Sequence, residues 1–122
     1  MKYLLLVCVE EPPEPPLETA EEIASWDVEG EDIKPWLSEV DGGGIRLFGS
    51  QVSKPANAST VRVRDGEMIV SDGPFAETKE WMAGFDIIEC DSMAKAIEIA
   101  ARHPVARFGM IEVRPFRPLP RD

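Results

Sequence analysis

The sequence is short of basic residues, histidine, cysteine and long apolar runs, and each shortage removes a class of function. Thirteen Lys and Arg stand against 23 Asp and Glu, a formal net charge of −10. A nucleic-acid partner requires a basic surface to neutralise phosphates, and the only asymmetric surface encoded here is acidic. The single histidine, His103, and the two cysteines, Cys8 and Cys90, lack metal-ligand spacing, so no zinc site is expected. Cys8 is flanked by Val7 and Val9, and both cysteines belong to strand-like runs in which a thiol behaves as a small hydrophobe. A disulfide between them would need Cα atoms within about 7 Å, and reduced thiols point to the cytoplasm. No run approaches the ~20 apolar residues of a membrane span. The apolar stretch Met1 to Val9 runs straight into Glu10-Glu11-Pro12-Pro13 without a small-residue cleavage site, which argues against a secretory signal. Gly42-Gly43-Gly44 leads into a strand-like run instead of opening a helix, so it is not read as a phosphate loop and no cofactor is expected.

What is present suits one globular domain over residues 1–122: 43% of the chain is hydrophobic and 30% charged. The charge is segregated. Residues 1–41 hold twelve acids against Lys2 and Lys34, while residues 42–122 hold eleven charges of each sign.

Tyr3 to Val9 is apolar without alternation, the pattern of a strand covered on both faces. The proline-rich loop 10–18 can continue neither helix nor strand. Thr19 and Glu22 form a capping box for a short helix through Ile23 and Trp26. Ile33, Trp36, Leu37 and Val40 fall on one face of a second helix, with Asp32 as its cap and Pro35 in its first turn. Ile45 to Gly49 is a short strand. Thr60–Arg64 and Glu67–Ser71 flank Asp65-Gly66, a two-residue hairpin signal that pairs Val63 with Met68, Val61 with Val70, and Arg64 with Glu67. Gly84 to Cys90 is a strand with Phe85 and Ile87 on one side and Ile88 and Cys90 on the other. Ser92 or Asp91 caps a helix with a Met93, Ala96, Ile97, Ala100 stripe, stopped by Pro104. Phe108 to Arg114 is the last strand, and residues 115–122 form an extended tail.

This order of elements is that of an α+β ferredoxin-like sandwich. Its helices cover one face of the sheet only, so a first strand apolar on both sides calls for a second copy, and a homodimer is expected.

Residues 71–80, Ser-Asp-Gly-Pro-Phe-Ala-Glu-Thr-Lys-Glu, concentrate unusual chemistry between two strands. Asp72, Gly73 and Pro74 force a turn, with Asp72 either capping that turn or serving as a general acid or base. Phe75, Glu77, Thr78 and Lys79 follow as candidate ligand contacts, or as charges that are solvated or paired across a dimer. Trp81 is the tryptophan best placed to line a pocket. His103, ending the last helix, is read as a cationic cap first and a catalytic residue second.

Residues 70–80, with Gly84-Phe85, the opening Met1 to Leu6, Thr60-Val61-Arg62 and Gly109 to Pro115, resemble the DGPF-type proteins of the YCII-related family. The resemblance implies a dimeric α/β barrel of ferredoxin-like halves. It also brings two functions. Some relatives are suspected enzymes with a His and an Asp facing a pocket, and others are encoded beside extracytoplasmic-function (ECF) sigma factors. His103 does not stand near the first helix, where the family's histidine is expected, which leaves Asp72 as the carboxylate the motif supports.

The first expectation is therefore a small-molecule-binding dimer, its pocket between sheet and helices closed by residues 72–80, with Asp72 as the acid–base group if the protein is an enzyme. The alternative is a non-catalytic regulatory module whose acidic first third docks a basic partner such as a sigma factor. A third reading makes Phe75 an interface brace.

Overall fold

The computed structural model describes residues 1–10, 33–76 and 78–120. In chain order these form β1 (Lys2–Glu10), α1 (Lys34–Gly42), β2 (Arg46–Gln51), β3 (Ser59–Arg64), β4 (Glu67–Asp72), β5 (Glu80–Glu89), α2 (Met93–Ala101) and β6 (Met110–Pro115), with 3₁₀ turns at Pro55–Asn57 and Pro104–Arg107. The expected loop after Glu10, the capping box at Thr19 and the helix to Trp26 lie outside the described residues.

Four strands make one antiparallel sheet in the order β2-β5-β1-β6. Strand β1 therefore lies between β5 and β6, and each helix links two strands that have a third between them. This is the α+β, ferredoxin-like arrangement expected from the order of elements. Tyr3, Leu5, Val7 and Val9 of β1 are buried under the helices. Leu4, Leu6 and Cys8 point the other way and are half-buried, beside Phe85, Ile87 and Met82 of β5. The first strand is thus covered by its own chain on one face and by neighbouring side chains alone on the other.

Helix α1 buries Trp36 and Val40, as its apolar spacing requires, with Pro35 in the first turn. Its N-cap is Ile33, which makes no side-chain cap bond. Helix α2 starts on Ser92, whose side chain accepts from the Lys95 amide at 3.1 Å. The residues it buries are Ala96, Ile99 and Ala100, whereas Ile97 is exposed. The inward stripe is therefore shifted from the expected one, because continuing 96, 99 and 100 by one turn brings buried His103 under Trp36.

The hairpin β3-β4 is a separate two-stranded sheet. Its register pairs Val61 with Val70, Val63 with Met68 and Arg64 with Glu67, as the turn signal dictates. Asp65 and Gly66 both take positive φ, 54° and 75°, the geometry of a two-residue primed turn. Unlike the main sheet, this hairpin is open to solvent on both faces.

Strand β5 begins at Glu80, four residues before its apolar run suggests, because it pairs with β1 as far as Glu10. Cys8 and Cys90 are free thiols. The Cys90 amide bonds to the Met1 carbonyl at 3.1 Å, at the opposite end of β1 from Cys8 and roughly 20 Å away at strand rise. Among the described residues no helix is long and apolar enough to cross a membrane.

Candidate functional site

Between the sheet and the helices the described residues line a half-open cavity of about 190 Å³. Its floor is Val7 of β1 with Ala83 to Asp86 of β5. Arg46, Ser50 and Gln51 of β2 form one side. Trp36 and Leu37 of α1, with His103, Pro104 and Val105, complete the lining.

Two irregularities in strand pairing build this site. The β1-β5 register slips between Val7 and Cys8, so that Ala83 is an extra residue in β5. The β2-β5 register slips between Arg46 and Phe48, leaving Leu47 extra in β2. Each bulge reverses which side of the sheet the following residues face. Beyond the first bulge, Asp86 and Ile88 point inward as Trp81 and Ala83 do before it. The second sets Arg46 on the helix side while Phe48 faces outward, its ring 5.9 Å from that of Phe85. Arg46 and Asp86 thereby meet on the inner face.

Arg46 Nε donates to Asp86 Oδ1 at 2.7 Å, and its Nη1 donates to Asp41 Oδ1 at 3.3 Å. Asp86 is buried, 6% exposed. Burial pushes its carboxyl above the usual carboxylate range, against the opposing pull of Arg46. Burial alone would lower the Arg46 guanidinium, but the Asp86 and Asp41 carboxylates more than offset it and its pKa is raised.

His103 is buried, 5% exposed, with its ring edge-on to Trp36 at 4.7 Å. Nδ1 accepts from the Val105 amide at 3.0 Å, which fixes the neutral tautomer with the proton on Nε2. Burial lowers the imidazole pKa from 6.5 to about 4. His103 thus caps the 3₁₀ turn that follows it, as a neutral acceptor. The expected cationic cap of α2 is not what forms, because the ring is enclosed between the helices and sheet where charge is disfavoured. Trp36 donates its indole N–H to the Ile99 carbonyl at 3.0 Å and so presents only its apolar faces to the cavity.

The residues of the motif loop lie elsewhere. Asp72 ends β4 opposite Ser59 and is exposed; its carboxylate makes no hydrogen bond among the described residues. The turn is held instead by the Gly73 amide on the Ala58 carbonyl, 2.6 Å, and by Thr60 Oγ1 on the Gly73 carbonyl, 2.9 Å, with Gly73 at φ 90°. Pro74 and Phe75 are exposed, Phe75 at 83%. Thr78 Oγ1 bonds the Glu80 carbonyl, and Lys79 pairs with Glu10 at 3.8 Å. Glu77 lies outside the described residues. Trp81 is buried in a second apolar cluster with Val7, Val9, Ala83 and Val105, below the cavity. Of the described residues among the candidate site residues, only His103 lines the cavity.

Asp86 and Arg46 were missed. A signal for them exists in the alternation of β5, where Phe85 and Ile87 on one side leave Asp86 on the same side as Ile88. An acid at an inward strand position needs a cation, and Arg46 is available on the neighbouring strand.

A four-stranded antiparallel sheet with helices on one face, and a mostly apolar cavity that holds an ion pair between the layers, defines a ferredoxin-like α+β domain with a candidate internal site among its described residues. The sequence profile of the YCII-related domain matches residues 14–120, and the chain belongs to that family. Over 60 residues it is 48% identical to an uncharacterised protein of Rhizobium meliloti (strain 1021). That match covers 48% of this chain and 48% of the relative, about half of each.

Proposed function

We propose that the protein binds a small molecule in the cavity between its sheet and helices, and does so as a homodimer. The observation that carries the binding reading is the Arg46–Asp86 ion pair set into the cavity wall. Burying the Asp86 carboxylate is costly even with the half-buried Arg46 beside it, and well-packed apolar residues often fill such a space with no loss of stability. A charged pair retained in a cavity also lined by a neutral imidazole is the polar equipment of a ligand site in otherwise apolar walls. The size agrees, since an apolar cavity of about 150 Å³ takes benzene and this one is somewhat larger.

The homodimer reading rests on the outer face of the sheet, where Leu4, Leu6, Phe85, Ile87 and Phe48 form a continuous apolar surface. A second copy pressing the same face against it would cover all five at once. Phe75, Lys79 and Asp72, which turn away from the cavity, belong in this reading to the contact between subunits.

Thermal shift against a fragment collection tests the binding site. Leu37→Trp adds bulk to the cavity wall, so fragments that raise the Tm of the native protein should lose their effect in this variant and keep it in Asp72→Asn. Loss in Asp72→Asn with retention in Leu37→Trp would move the site to the motif loop.

A further inference from the structure

We infer that the ligand of the cavity is an uncharged ring compound carrying a carbonyl-type acceptor, to which the His103 Nε2–H donates. This rests on the cavity being the ligand site and goes further by assigning the ligand's charge and polarity.

The charge follows from how the ionisable groups are already committed. Arg46 is shared between two carboxylates, Asp86 at 2.7 Å and Asp41 at 3.3 Å. An anionic ligand reaching that guanidinium would meet the Asp86 carboxylate beside it. A cation approaching Asp86 would meet Arg46 in the same way. His103 contributes no charge, because Nδ1 is held as an acceptor by the Val105 amide. Within the lining, from which Asp41 is absent, Arg46 and Asp86 balance each other, and a charged ligand would lose its hydration without gaining an uncommitted counter-charge.

The polarity follows from the donors left over. The Trp36 indole N–H is spent on the Ile99 carbonyl. His103 Nε2 has no hydrogen-bond partner among the described residues, and in this tautomer it is a donor. Arg46 Nη2 is the second, since Nε and Nη1 hold the two carboxylates. These two donors, in a lining that includes the ring of Trp36, suit a flat ring with an acceptor oxygen.

Benzamide, benzoate and benzamidinium share one shape and differ in charge, so titrating each into the native protein at pH 7 by calorimetry isolates the inference. Benzamide should bind at least tenfold more tightly than either charged isostere, and His103→Asn, which keeps an acceptor for the Val105 amide, should weaken it about fivefold, one neutral hydrogen bond. Benzoate or benzamidinium binding as tightly as benzamide would overturn the charge assignment while leaving the cavity as the ligand site. Unchanged benzamide affinity in His103→Asn would overturn the donor assignment. Absence of binding by all three at millimolar concentration would overturn the inference together with the reading it rests on.

Discussion

Gly49 of β2 lies directly against the Asp86 carboxylate, with no room for a side chain. A Cβ at this position would overlap Asp86 Oδ1 and sit 2.6 Å from Arg46 Nη2 and 2.8 Å from the Phe85 carbonyl. Gly49 is thus what lets two neighbouring strands place an ion pair across the backbone between them. Gly49→Ala should lower the unfolding free energy by about 2 to 3 kcal/mol through overpacking. Gly42, at the end of α1, has nothing within 4 Å of its would-be Cβ, so Gly42→Ala should cost nothing or stabilise by up to about 1 kcal/mol. Urea denaturation of the two variants separates a glycine required by the site from one that is not.

The ion pair should behave as a coupled unit. Arg46→Met leaves Asp86 buried without its cation, at a cost of about 3 kcal/mol. Adding Asp86→Leu removes the stranded charge and should recover most of that loss. A double-mutant cycle with additive costs would show that the two residues do not depend on each other.

His103 sets a pH dependence. Its folded pKa of about 4 lies below the ordinary 6.5, so between these values the unfolded chain binds a proton that the folded chain refuses. The stability it contributes is complete above pH 6.5 and is lost as pH falls toward 4, about 3 kcal/mol over the full interval. His103→Asn cannot titrate and keeps an acceptor for the Val105 amide. The difference in unfolding free energy between native and variant proteins, followed from pH 7 to pH 4, should fall by this amount. A flat difference would mean that the imidazole is solvated.

The subunit contact has its own test. Leu6 sits at the centre of the outward sheet face, opposite Phe85 and Glu112, where a lysine can still reach solvent in a single subunit. Leu6→Lys should convert a dimer into a monomer by light scattering, with an unchanged far-ultraviolet circular dichroism spectrum. A native protein that is already monomeric at micromolar concentration would remove the dimer.

The fold was legible wherever local pattern and tertiary demand coincide. Asp65-Gly66 determines the turn and hence every pair of the hairpin from Ser59–Asp72 to Arg64–Glu67. Trp36 and Val40 are buried at the spacing their helix imposes. The site was less legible because it depends on bulges at Ala83 and Leu47, which change the facing of Asp86 and Arg46 without leaving a composition signal. Residues 71–80 stand out in the sequence because turn chemistry and charge are dense there, but charge density in a loop describes solvation as readily as function. A single acid on an inward strand face carried more information.

Amide and indole chemical shifts during a benzamide titration test most directly whether the cavity is the binding site. The indole N–H of Trp36 and the amides of Gly84, Asp86 and Val105 should move together along one saturable curve, while those of Gly73, Phe75 and Lys79 stay fixed. Shifts centred on Gly73 to Lys79, with the Trp36 indole unmoved, would contradict it.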